Sequence, residues 1–274
     1  MEKHVGLVTD FGTKAGYVAS MKGVILSTCP ECIITDLSHE IPPQNIMEAA
    51  LFLENCCHYF PENYIFVIVV DPGVGSSRRI LALRTKRLNQ FFVAPDNGVL
   101  DLIIKDQGVG ELIVLENKEF WRPSTSHTFH GRDIMSPVAA HVANGVAINE
   151  LGSSLGISEI IHLDIPSSEF IDASREILGA VLYLDNFGNI ITNITKDSLD
   201  KATISINDYL LVNIDGSREM SVPFKNFYSE VEPGSFVCLL NSENRFEISI
   251  NEGNAADVLQ NISKFKKVTV KKHG

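Results

Sequence analysis

Val69-Val70-Asp71-Pro72-Gly73-Val74-Gly75-Ser76-Ser77-Arg78-Arg79 follows the apolar run Tyr64–Val70, whose length and β-branched content predict a buried strand. The strand runs into an acid, then Pro and two glycines, then two arginines. In an α/β sheet, ligands gather beyond the carboxyl ends of the strands. Asp71 delivered there, with Arg78 across a tight glycine turn, can form a charge-coupled pair at a cleft. Taken alone, the segment reads equally well as a turn with a surface salt bridge. Further strand-end acids and a polar histidine motif strengthen the functional reading.

On the N-terminal side, Val5–Val8 is a short strand ending in Thr9-Asp10-Phe11-Gly12. A helix over about 16–28 places Tyr17, Met21, Val24 and Ile25 on one face, and Cys32–Leu37 returns as a strand. After Pro42-Pro43, Asn45 can cap a helix with Ile46, Ala50, Leu53 and Cys57 inward. On the C-terminal side, Ile80–Arg84, Phe91–Ala94 and Leu112–Leu115 are strands, with a helix over Val99–Lys105. Phe129-His130-Gly131-Arg132-Asp133 opens another helix. This alternation predicts a three-layer α/β domain with a largely parallel sheet.

From Ala147 to about Ala173 the pattern is loop-like, with Pro166-Ser167-Ser168 as the linker. Beyond Gly179 only short strands alternate with turns: 180–184, 190–193, 203–206, 209–214, 236–240, 246–250 and 267–270. The expectation is an N-terminal α/β domain over residues 1–170 and a smaller all-β domain over 171–274.

The chain of 274 residues has a net charge of −11, which disfavours nucleic-acid and anionic-membrane partners, since nothing neutralises phosphates in bulk. No apolar run reaches the ~18 residues of a bilayer span. The strand that follows Met1-Glu2-Lys3 leaves no signal-peptide pattern, and a cytoplasmic location is expected. Five cysteines suit a reducing compartment. Cys29-Pro30-Glu31-Cys32 lacks the second pair of a four-ligand zinc site and reads as structural thiols.

Asp10, Asp36, Asp71 and Asp96 all lie at strand ends, where each alone reads as a cap or turn former but together they argue for a polar cleft. His127 and His130 have metal-ligand spacing, yet Arg132 beside a dication is unfavourable, which favours hydrogen bonding. In the second domain, Asp185-Asn186-Phe187-Gly188-Asn189 offers an acid for an ammonium, an aromatic face and an amide able to read a purine edge. Asn241–Arg245 and Gly253–Ala256 are further turns. No glycine-rich phosphate-binding fingerprint occurs.

Thr9-Asp10-Phe11-Gly12, Asp36-Leu37-Ser38-His39, Asp71–Arg78, Ala94–Gly98, Phe129–Asp133, Asp185–Asn189 with Thr192-Asn193, Asn241-Ser242 and Gly253–Ala256 together resemble the S-adenosylmethionine hydroxide adenosyltransferases, relatives of fluorinase and chlorinase. The match runs in order through almost the whole chain. The resemblance implies an N-terminal α/β domain, a barrel-like C-terminal β domain and a homotrimer with sites between subunits. It implies hydrolysis of S-adenosyl-L-methionine to adenosine and L-methionine, with no cofactor and no metal. It further implies that Asp71, Arg78 and His130 activate water and that Asp10 holds the ribose hydroxyls. Asp185 would take the methionine ammonium, Asn189 the adenine edge, Ser242 the amino-acid end, and Ala256 would offer backbone groups to adenine. The halogenases lack the Asp–His pair and carry an insertion in the first domain, whereas here both residues are present and Arg84–Phe91 is short. Met135-Ser136 departs from the bulkier apolar pattern of the motif, which bears on packing. The competing readings are a halogenase, a metal-dependent hydrolase using Asp10, Asp71, Asp96 and His130, and a non-catalytic nucleoside- or S-adenosylmethionine-binding module.

Overall fold

The computed structural model describes residues 2–216 and 219–273. The chain divides into two compact units, Met1–Leu163 and Asp164–Gly274.

In the first unit, β1 (His4–Thr9), α1 (Tyr17–Thr28), β2 (Ile33–Ser38), α2 (Ile46–Cys56) and β3 (Ile65–Val69) alternate as the sequence predicts. They are followed by β4 (Ile80–Thr85), β5 (Phe91–Pro95), α3 (Asp101–Gln107), β6 (Val109–Leu115), α4 (Ser136–Ala143) and β7 (Gly152–Ser154). The seven strands lie in the order β2-β1-β3-β5-β4-β6-β7. β2, β1, β3 and β5 are mutually parallel, and β6 shares their direction because it is antiparallel to β4, itself antiparallel to β5. β4 and β7 run against them.

Successive residues of β3 serve opposite layers, as the strand period of two requires. Ile65, Val67 and Val69 pack with Val18, Met21 and Ile25 of α1 and with Val138 and Ala139 of α4. Phe66 and Ile68 pack with Ala49 and Leu53 of α2 and Ile103 of α3. The result is the expected helix–sheet–helix sandwich. Asn45 caps α2 as expected, its side chain accepting the Glu48 N–H. Cys29 and Cys32 are buried and free, and burial pushes the Cys32 thiol up to about 12, so both serve as core residues.

In the second unit, β8 (Glu169–Ile171), β9 (Glu176–Leu184), β10 (Ile190–Thr195), α5 (Lys196–Lys201), β11 (Tyr209–Ile214), β12 (Met220–Pro223), β13 (Phe236–Leu240), β14 (Arg245–Ile250), α6 (Ala255–Leu259) and β15 (Lys267–Lys272) surround one core. The strand order is β12-β11-β15-β9-β10-β14-β13, with β8 paired to β9. Every ladder between these strands is antiparallel. Phe224, just past β12, bridges to Cys238 of β13, so the sheet nearly closes on itself as a barrel, which leaves few unpaired edges.

The expected strand over 203–206 is absent. Thr203 takes a positive φ of 57° and Asn207 one of 76°, which no strand tolerates, while buried Ile204 plugs the core from a loop. β7 and β8 lie in the stretch read as loop. Gly253–Ala256 is the capped start of α6 rather than a hairpin turn, with Asn254 accepting the Asp257 N–H.

Candidate active site

The turn after β3 is built around its glycines. Val74 N–H donates to the Asp71 carbonyl at 3.2 Å, and Ser76 returns to the Gly73 carbonyl through its N–H at 3.1 Å and its hydroxyl at 2.7 Å. Gly75 has a φ of +81°, and an added Cβ would stand 2.2 Å from the His127 carbonyl oxygen, so only glycine fits there. The turn thereby folds Arg78 back onto Asp71. Its Nε donates to Asp71 Oδ1 at 2.9 Å and its Nη2 donates to Oδ2, a bidentate pair with side chains only 4% and 8% exposed for Asp71 and Arg78.

His130 reaches the same guanidinium from another element. It precedes a π-helical turn, Gly131–Met135, that leads into α4. A Cβ on Gly131 would lie 2.8 Å from Val69 Cγ1, so the missing side chain is what lets this turn pack on the end of β3. Arg78 Nη2 and His130 Nδ1 are 2.9 Å apart. An arginine only donates, so Nδ1 is the acceptor and the ring proton resides on Nε2. Burial, then the adjacent Arg78 charge, holds His130 below its ordinary value, against the opposing pull of Asp71.

The other strand-end acids have different employments. Asp10 lies next to this group along the sheet, since Thr9 pairs with Val69. Its Oδ2 accepts the Gln44 N–H at 2.8 Å, while its Oδ1 has no partner among the described residues. Asp36 joins Lys22 and His39. Asp96 is spent on structure, accepting from Arg79 Nε at 2.8 Å and from the Ile161 N–H at 2.9 Å. His127 lies in a turn ahead of the helix, so it shares no helical face with His130. Among the described residues, no three acids, histidines or cysteines are grouped to hold a metal ion.

Phe11, Tyr17 and Phe129 pack mutually, with centroids 5.3–5.6 Å apart, and link the Asp10 turn to the residue before His130. Sequence reading missed this aromatic trio as part of the site. Phe11 and Phe129 belong to the motifs Thr9–Gly12 and Phe129–Asp133, which was the available signal.

The second unit carries the remaining candidates. Asp185 Oδ1 accepts the N–H groups of Phe187 and Asn189, each at 2.9 Å, and its Oδ2 accepts from Asn189 Nδ2 at 2.8 Å. Asn189 is therefore buried with its amide donor committed, and its Oδ1 has no partner among the described residues. Phe187, at 77% exposure, projects from the same turn. Ala256 donates its N–H to the Gly188 carbonyl and accepts the Gln260 N–H, so both its backbone groups are engaged. Asp185 and Ser242 line one cavity of about 390 Å³ with Phe227, Tyr228 and Glu247. Asp185, Phe187, Asn189 and Asn254 line another, of about 690 Å³. Glu247 was also missed. It is an acid inside the apolar strand β14, accepts from Tyr228 and Ser249, and has its carboxyl pushed up by burial.

Residues 5–152 match the SAM hydroxide adenosyltransferase N-terminal domain and residues 179–264 match its C-terminal domain. The chain belongs to this family. A relative from Methanocaldococcus jannaschii, named (R)-S-adenosyl-L-methionine hydrolase, is 35% identical over 93% of this chain and 91% of its own length. One of the same name from Thermus thermophilus is 32% identical over 93% of this chain and 94% of its own. A fluorinase from an Actinoplanes species is 27% identical, covering 90% of both chains. The solved structure of an uncharacterized conserved protein from Thermotoga maritima superposes with a TM-score of 0.90 at 34% identity, covering 97% of this chain and 99% of that one.

Proposed function

We propose that this protein hydrolyses S-adenosyl-L-methionine to adenosine and L-methionine by in-line attack of water on the ribose C5′. The observation that carries the reading is the Asp71–Arg78–His130 group, present in a chain of this family and built from two elements that glycines bring together. The sulfonium leaves readily and loses its positive charge in the transition state, so the barrier lies with the weak nucleophile. Holding water in line behind C5′, opposite sulfur, supplies the proximity contribution. Each Asp71 oxygen keeps a lone pair beyond its bond to Arg78, and one of them accepts the water proton. General-base assistance of this kind contributes about 10²–10⁴-fold. The His130 Nε2–H donates to the water oxygen and orients it, while Arg78 fixes both partners and stabilises the emerging hydroxide. No metal or other cofactor has a step to perform.

Asp10 Oδ1 receives the ribose hydroxyls. Asp185 takes the methionine ammonium, and Ser242 holds the amino-acid end in the cavity it shares with Asp185. Asn189 presents its open Oδ1 to the adenine amine, and Phe187 offers its face. Ala256 contributes the second lone pair of its carbonyl. The names of the relatives specify the (R) sulfonium epimer. We extend that preference to this chain, which would make it a remover of the wrong epimer rather than a consumer of a working cofactor.

The test is incubation of the purified protein with a mixture of the two epimers, in buffer and in chelator, with products separated by chromatography. Equal amounts of adenosine and methionine should form, the (R) epimer should disappear first, and chelation should leave the rate unchanged. A product carrying halide at C5′ in halide buffer would favour the halogenase reading, and binding without turnover would favour the non-catalytic one.

A further inference from the structure

Behind the Asp10 turn runs a chain of polar groups that the proposed chemistry does not use. Thr9, the last residue of β1, is fully buried, and its Oγ1 lies 2.9 Å from His39 Nδ1. The other ring nitrogen of His39 lies 2.9 Å from Asp36 Oδ1, and Lys22 of α1 donates to Asp36 Oδ2 at 2.6 Å. Burial pushes the Asp36 carboxyl up, but Lys22 and His39 more than offset this and hold it below its usual value. His39 itself is only 6% exposed.

Two members of this chain, Thr9 and His39, hold the same turn. Thr9 Oγ1 accepts the Phe11 N–H at 3.3 Å, and the His39 carbonyl accepts the Gly12 N–H at 2.7 Å. Asp10 is thus held on both sides, and its carboxylate is drawn by the Gln44 N–H toward the segment that His39 begins. A buried, fully bonded imidazole brings nothing to packing that an apolar side chain would not bring at lower desolvation cost. Its distinctive product is the fixed backbone of residues 9–12.

We infer that His39 is a positioning residue for the substrate ribose, acting through the Asp10 turn. The inference rests on the hydrolase reading above and on Asp10 as the group that meets the ribose diol. Free Asp10 backbone motion would cost binding, because an acceptor that must be ordered on binding loses affinity to that ordering. The Asp71 group, held by its own turn after β3, would be left in place.

Steady-state kinetics on His39→Leu, His39→Gln and Thr9→Val test this, with Asp10→Asn as reference. His39→Leu should raise KM about tenfold, the loss of roughly one net hydrogen bond, with kcat little changed. His39→Gln, which keeps one side-chain bond, should recover part of the loss. Should His39→Leu fail to fold, Thr9→Val removes only the hydroxyl end of the chain and carries the same expectation. Because His39 acts through Asp10, the double variant Asp10→Asn/His39→Leu should bind no worse than Asp10→Asn alone. A merely structural role would lower the melting temperature and leave KM of the folded enzyme untouched, which overturns the inference, as would multiplicative effects in the double variant. If the wild-type protein binds adenosine but does not turn over S-adenosyl-L-methionine, the hydrolase reading fails instead. Calorimetric adenosine affinity of the same variants then decides the role of His39 by the same tenfold criterion.

Discussion

Both carboxylate oxygens of Asp71 already receive a donor from one guanidinium, so this acid cannot swing toward substrate and is shaped to act on water. Asp71→Asn keeps the shape but removes the acceptor strength. We expect it to bind S-adenosyl-L-methionine nearly as well as wild type while kcat falls about 10²–10⁴-fold. Wild-type turnover in this variant would remove Asp71 from the mechanism. His130 supplies a second expectation with a definite sign. Burial and Arg78 both disfavour its charged form, so the ring stays neutral below its ordinary value of 6.5 and charges only as pH falls further. Charging would put a proton on Nδ1, facing the Arg78 donor, so kcat/KM should hold through the neutral range and decline only as pH falls below the ordinary imidazole value. In an NMR titration of His130, Arg78→Met should move the midpoint up and Asp71→Asn should move it down, because those charges act in opposite directions. The unfolded chain binds this proton at higher pH than the folded one. Stability from His130 is therefore present above its ordinary value and lost as pH falls toward the folded one.

At the scale of elements, the site depends on where glycines let secondary structure approach. β3 was legible because Tyr64–Val70 is an unbroken apolar run, and α2 because Asn45 sits three residues before an acid. β7 and β8 were not legible. Each is three residues long, and Gly152-Ser153-Ser154 carries no apolar alternation to signal a strand. The missing strand at 203–206 fails for the opposite reason: Thr203 and Ile204 have strand propensity, but the exit from α5 requires a positive φ and tertiary context overrides the local preference. The Asp71–Arg78 pair could be expected from its turn, whereas His130 was joined to it only through the family resemblance, because nothing in the local sequence shows that Gly131 packs on Val69. That contact yields a prediction. Gly131→Ala forces its new methyl into Val69 at 2.8 Å and must displace the start of the π turn, and with it His130. A shift near 1 Å costs about 10²-fold in rate, so kcat should fall far more than stability does. Adding Val69→Ala makes room for the methyl and should recover much of the lost rate. A double variant no better than Gly131→Ala would show that this approach does not set the position of His130.

At the scale of the molecule, the residues proposed to activate water all belong to the first unit, and those proposed to read adenine and the amino acid belong to the second. The two groups differ in chemistry: the first couples an acid to an arginine and a histidine, and the second offers the Asp185 carboxylate with the Asn189 amide. Hydrolysis as proposed therefore needs one group of each kind at every site, and the two can come from the same chain or from different ones. Family resemblance implies a trimer in which they come from different chains. Subunit mixing separates the alternatives. Asp71→Asn disables the first group and Asp185→Ala the second, so each variant alone should be nearly inactive. If sites form between subunits of a cyclic trimer, co-refolding equal amounts gives about one junction in four with both groups intact. Activity should then reappear at about a quarter of the wild-type level and rise from zero with the time allowed for exchange. If each site is made within one chain, every site retains one lesion whatever the mixture. Mass spectrometry of differently tagged variants would establish that mixed assemblies have formed. Mixed assemblies as inactive as their parents would place the complete site within a single chain and leave oligomerisation without a part in the chemistry.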